Sequence, residues 1–97
     1  MVRHVVMFKF KPEINAADRS AFLEMLHKLA VDIDLIRHLE TGQNFTESPR
    51  AFDLVLIVDV DDEDALKAYA AHEDHQPVIK RAGEIMEASH VVDYTLA

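Results

Sequence analysis

The chain has 97 residues, enough for a single domain over 1–97 and near the lower end of the usual size range. Eighteen acidic against ten basic residues give a formal net charge of −8, which repels phosphate backbones and makes nucleic acid and anionic membrane poor partners. The absence of cysteine excludes disulfides, thiol catalysis and thiolate zinc sites.

Val2 to Lys11 reads as a strand by alternation and β-branching. His4, Val6, Phe8 and Phe10 share one face; Arg3, Val5, Met7 and Lys9 share the other. Both faces are largely apolar, so both are expected to be covered. Lys11-Pro12 ends the strand.

Asn15 is an N-cap candidate, with Asp18 placed to favour the positive end of a helix. Phe22, Leu26, Leu29 and Ile33 then recur at helical spacing, opposite Arg19, Glu24 and Lys28. The pattern predicts an amphipathic helix lying on a sheet.

Ile36 to Asn44 is a weaker strand ending near Gly42, and Thr46 to Arg50 carries turn chemistry in Ser48-Pro49. Phe52 to Val60 is the strongest strand. Phe52, Leu54, Leu56, Val58 and Val60 take one face, and Asp53, Val55, Ile57 and Asp59 the other.

Asp61-Asp62-Glu63-Asp64 opens the second helical region. The run lacks the alternating ligands and glycine of a calcium loop, and capping with dipole compensation explains it better. Ala65 to Tyr69 continue the helix, His72 to Asp74 break it, and a further helix runs from about Gln76 to Met86. His90 to Thr95 is the last strand, with His90, Val92 and Tyr94 on one face and Val91 and Asp93 on the other.

The order β-α-β-β-α-β, its second helix broken in two, is the ferredoxin-like α+β arrangement: a four-stranded antiparallel sheet with helices on one face. The other face carries Val5, Met7, Val55, Ile57 and, on this reading, Val91. A chain this short buries only about two thirds of its unfolded surface. A second copy covering that face is expected. No stretch approaches the roughly 20 apolar residues of a membrane span, and the N-terminal run, interrupted by Arg3, His4 and Lys9, is not signal-like. A cytoplasmic setting is expected.

The junction Tyr69-Ala70-Ala71-His72-Glu73-Asp74-His75-Gln76, together with His4 on the first strand, holds the ingredients of a small acid/base site. The residue-level alternative for His75 is a junction histidine that packs and caps helix carbonyls. For His4 it is a satisfied core histidine. His72 and His75 have a spacing usable for metal binding, but local spacing sets no third ligand, so no metal is expected. Phe22 and Leu26 lie where the helix would roof a cavity above the sheet, or they are simply core.

Together these residues resemble the stress-responsive dimeric α/β-barrel family. The resemblance rests on His4 to Lys11, Gly42 with Asn44, Arg50-Ala51-Phe52-Asp53, Ala65 to Tyr69 with His72 and His75-Gln76, and Val91-Val92-Asp93-Tyr94. It implies two chains packed sheet against sheet into a dimeric α/β barrel. One plant member, olivetolic acid cyclase, closes a linear polyketide with a tyrosine and a histidine whose spacing is similar to Tyr69 and His75. The resemblance therefore implies His75 as base and Tyr69 as donor, with Asp93 supporting His75. His4, Val6, Phe22, Leu26 and His72 would bound the substrate. Glu73 departs from the family's usual proline and makes the rim more acidic. The expected activity is lyase- or cyclase-like and cofactor-free, on a small apolar, aromatic or keto ligand. The alternative is a non-enzymatic stress-associated dimer or apolar-ligand carrier.

Overall fold

A computed structural model describes all residues, 1–97. The elements follow in the order β1 (Val2–Phe10), α1 (Ala16–Asp32), β2 (His38–Gln43), β3 (Leu54–Val60), α2 (Glu63–Ala71), a 3₁₀ turn (Glu73–His75), α3 (Gln76–Ile85) and β4 (Met86–Thr95). The strands form one sheet in the order β2-β3-β1-β4, every pair antiparallel. This is the ferredoxin-like α+β fold, with three helices on one face.

The helix caps arise as the residue types dictate. The Asn15 side chain accepts from the Asp18 amide, and that of Asp62 from the Ala65 amide. Within the acidic run only Asp62 caps. Asp61 instead makes a bidentate pair with Arg37 at 2.9 Å.

Alternation on β1 and β3 sends Val2, Phe8, Phe10, Leu54, Leu56, Val58 and Val60 under the helices. There they meet Phe22, Leu26 and Leu29 of α1, Ile33 just beyond it, Tyr69 of α2, and Val78 and Ile85 of α3. Burying each such side chain contributes about 1.5–3 kcal/mol before chain entropy is charged against it. Phe22 packs edge-on against Phe8 and Phe10, with centroids 5.4 and 6.2 Å apart.

The last strand departs from expectation in two ways. It begins at Met86 rather than His90, because α3 passes into it directly at Ile85–Met86. Its facing is also reversed for Val91. Antiparallel partners share a face, and β1 pairs His4 with Asp93, Val6 with Val91 and Phe8 with Ser89. Val91 is therefore on the helix side, and Val92, opposite Val5, takes its place on the open face. Two adjacent valines hide the parity, and only the pairing register reveals it.

The open face carries exposed Met7, Val92 and Tyr94, with half-buried Val5, Val55 and Ile57. Beneath them, cross-strand neighbours Arg3 and Asp59 form a bidentate pair, Nε to Oδ1 at 2.8 Å and Nη2 to Oδ2 at 2.9 Å. Asp59 is only 3% exposed. Arg3, chiefly by this hydrogen bond, holds the Asp59 carboxyl below the usual carboxylate range.

Candidate acid/base cavity

Between the sheet and the helices lies a cavity of about 460 Å³. Its floor is His4, Val6 and Phe8 of β1 with Leu56 of β3. Leu26 of α1 and Tyr69 of α2 form one side. His75, the α3 residues Val78, Ile79, Ala82 and Gly83, and the start of β4 form the other.

Tyr69 stands at the centre. Its ring is stacked on His75, centroids 4.4 Å apart and planes 29° from parallel, and His4 meets it edge-on at 5.9 Å. Only 1% of Tyr69 is exposed, and its hydroxyl is buried without a hydrogen-bond partner. Burial pushes the phenol pKa up to about 12. It therefore stays protonated and keeps a donor to offer.

His75 gains its position from the break between α2 and α3. Its Nδ1 donates to the Ala70 carbonyl at 3.2 Å, so the proton sits on Nδ1 and Nε2 is the basic nitrogen. Burial lowers the pKa of His75. The Ala70 hydrogen bond opposes this, and nearby His4 and His72 add to the lowering. At neutral pH the ring is an uncharged base.

The His4 partner is Asp93: Nδ1 donates to Oδ1 at 2.5 Å across the β1–β4 pair. The expected link from Asp93 to His75 is not what the fold builds. The β4 register sets Asp93 directly opposite His4, and the Ala70 carbonyl holds His75 instead. An acid/base site can use a carboxylate beside either histidine, so the carboxylate's partner needed the register.

His4, Val6, Leu26, Tyr69 and His75 are thus brought to one cavity, and two expected members stand elsewhere. Phe22 is sealed in the core at 1% exposure, held by Phe8 and Phe10. His72 caps the 3₁₀ turn, its Nδ1 accepting from the Asp74 amide at 3.1 Å. Short polar residues before a turn favour such local bonds.

Sequence reasoning missed Gln76, whose amide nitrogen donates to the Ala70 and His72 carbonyls and ties the helix break together. It also missed Ile79, Gly83, Glu87 and Ser89 on the cavity wall. The spacing of four between Ile79 and Gly83 sets them on one side of α3, which was readable. Ser89 required the facing of β4. A smaller cavity of about 250 Å³ beside Arg19 and Asp53 holds no histidine. Its Arg19 is already tied by Nε to the Ile14 carbonyl.

The family whose model matches residues 2–96 is described as "Stress responsive A/B Barrel Domain". An uncharacterised protein of Streptomyces coelicolor is 35% identical over 78 residues, which cover 78% of this chain and 80% of that protein. A dimeric protein of unknown function and ferredoxin-like fold from Bacteroides fragilis superposes with a TM-score of 0.83 at 28% identity, covering 98% of this chain and 95% of its own. The hydroxynitrile lyase of Passiflora edulis superposes with a TM-score of 0.90 over 99% of this chain and 93% of its own. At 12% identity that last likeness is one of fold.

Proposed function

We propose, from the premise that the chain belongs to the stress-responsive A/B barrel domain family, that its cavity binds a small, largely apolar carbonyl compound and acts on it by cofactor-free acid/base chemistry. His75 Nε2 takes a proton from the compound, and the Tyr69 hydroxyl donates to the oxygen on which charge develops. His4, oriented by Asp93, borders the same space and positions the ligand. The observation that carries this reading is the buried, unpaired Tyr69 hydroxyl beside a neutral His75. A buried donor without a partner costs free energy unless a ligand satisfies it. The lyase relative with the same fold supports a lyase-type reaction, such as proton abstraction beside a carbonyl.

A homodimer belongs to the same proposal. Val5, Met7, Val55, Ile57 and Val92 form an apolar strip on the face that no helix covers, and a second copy meeting it about a two-fold axis would bury it. The dimeric Bacteroides fragilis relative supports this assembly. No helix is long and apolar enough to cross a membrane. A cytoplasmic setting completes the reading, since a chain free of cysteine gains nothing from an oxidising compartment.

The test is solvent deuterium exchange at the carbon beside the carbonyl of small aryl ketones, followed by proton NMR, with crystals soaked in the same ketones. Exchange that depends on protein and disappears in His75→Ala supports the acid/base reading. Ketone bound in the cavity with exchange unaffected by His75→Ala leaves a carrier.

A further inference from the structure

The chemistry of the cavity wall restricts its ligand further than the acid/base pair does. We infer that the ligand is electrically neutral, presents one carbonyl oxygen to Tyr69 at its buried end, and carries an apolar tail that leaves the cavity across Gly83. This rests on the reading that the cavity holds a small molecule.

Charge comes first. No lysine or arginine lines the cavity, and its one carboxylate, Glu87, stands exposed at the rim. Of the two wall histidines, His4 already has Asp93 as its partner, and His75 gives its Nδ1 proton to the Ala70 carbonyl. A carboxylate or phosphate entering here would lose its water with no cation to replace it. It would also have to approach a chain of net charge −8 past Glu87.

Polarity at the buried end is equally sparse. The Tyr69 hydroxyl is the one buried side-chain polar atom without a partner. One donor calls for one acceptor oxygen. Further polar groups at that depth would go unsatisfied against Val6, Phe8, Leu26 and Leu56.

The mouth sets the shape. Ile79 and Gly83 lie four residues apart on α3, and both reach the cavity rim. Ile79 is 48% exposed, an apolar side chain with no protein cover. At Gly83, a Cβ built on the backbone would meet no heavy atom within 4 Å. The missing side chain therefore leaves a passage without serving the packing of the protein itself. An alkyl or aryl tail lying in that passage would cover Ile79.

The experiment titrates the intact protein at pH 8 with two series by calorimetry: acetophenones with para-alkyl chains of increasing length, and the matching para-alkylbenzoates. Ketones should tighten by about fourfold per added methylene until the chain passes the rim. Each benzoate should bind at least tenfold more weakly than its ketone, and Glu87→Lys should narrow that gap. Gly83→Leu should weaken the long-chain ketones by at least tenfold, leave acetophenone within about twofold, and leave the melting temperature unchanged. Gly83→Ala, which adds only the Cβ, should act in the same direction by a smaller factor. Benzoates binding as well as ketones, or Gly83 variants acting equally at every chain length, would overturn the inference while leaving a small-molecule cavity. Failure of every compound in both series to bind at millimolar concentration would overturn the cavity reading itself.

Discussion

Tyr69 and His75 are held face to face by ring stacking at 4.4 Å, with no hydrogen bond between them. Offset aromatic contact fixes the two rings without using the polar atoms of the tyrosine. The hydroxyl is thus positioned by packing and remains free for a ligand.

Tyr69→Phe should therefore separate stability from function. The ring contacts with His75 and His4 persist, and a buried hydroxyl without a partner disappears. Stability measured by urea unfolding should stay level or rise by up to about 1 kcal/mol. Protein-dependent deuterium exchange should fall by about a hundredfold or more, the usual loss on removing an oxyanion donor. A destabilisation well beyond about 1 kcal/mol would mean that the hydroxyl has a protein partner.

A second expectation concerns pH. The folded pKa of His75 is lowered from 6.5, first by burial. The unfolded chain therefore takes up this proton at higher pH than the folded one. The stability due to neutral His75 is complete above about pH 6.5 and declines as pH falls below that value toward the folded pKa. Exchange activity should follow the same limb, because only the neutral ring is a base. NMR titration of the His75 Hε1 proton should give a midpoint below 6.5; a midpoint above it would contradict the desolvated setting.

Much of this architecture was legible because β1 and β3 alternate cleanly: Phe8, Phe10, Leu54, Leu56 and Val58 are all buried under the helices. The cluster of Tyr69 and His75 was legible as residue types at a helix break. Three features were not. Val91 and Val92 are both apolar, so β4 gives no parity of its own, and the wrong valine was expected on the open face. The partner of Asp93 follows from a register set across the whole domain, with a shift between Lys9 and Phe10. Phe22 and Leu26 are one helical turn apart with the same character. Only packing against Phe8 and Phe10 makes one core and leaves the other on the cavity.

The acidic run at the start of α2 divides sharply by position. Asp62→Ala removes the side chain that accepts from Ala65 and should cost about 1 kcal/mol in chemical denaturation. Asp61→Ala breaks an exposed pair with Arg37 and should cost little. Millimolar calcium should shift the melting temperature of neither variant nor the parent; a clear upward shift in the parent would show a cation site.

Dimer formation should depend on the open sheet face. Ile57→Lys places a charge in the apolar strip beside Val5, its cross-strand partner. Sedimentation at micromolar concentration should report a dimer for the parent and a monomer for the variant, with the helical signal retained in circular dichroism. A parent that sediments as a monomer would refute the proposed assembly.

The first strand of the chain is an interior strand of the sheet, lying between β3 and β4. Its final neighbour is the last strand to emerge during synthesis, and the pairing runs to the tips, where the Leu96 amide donates to the Met1 carbonyl. The His4–Asp93 contact joins residues 89 positions apart. Loop-closure entropy has to be overcome before such a contact stabilises anything, which slows folding compared with a helical bundle of equal length. Nascent chains therefore hold an unfinished sheet with one side of β1 open until β4 arrives. The interval in which that edge can pair with the wrong strand is set by translation speed.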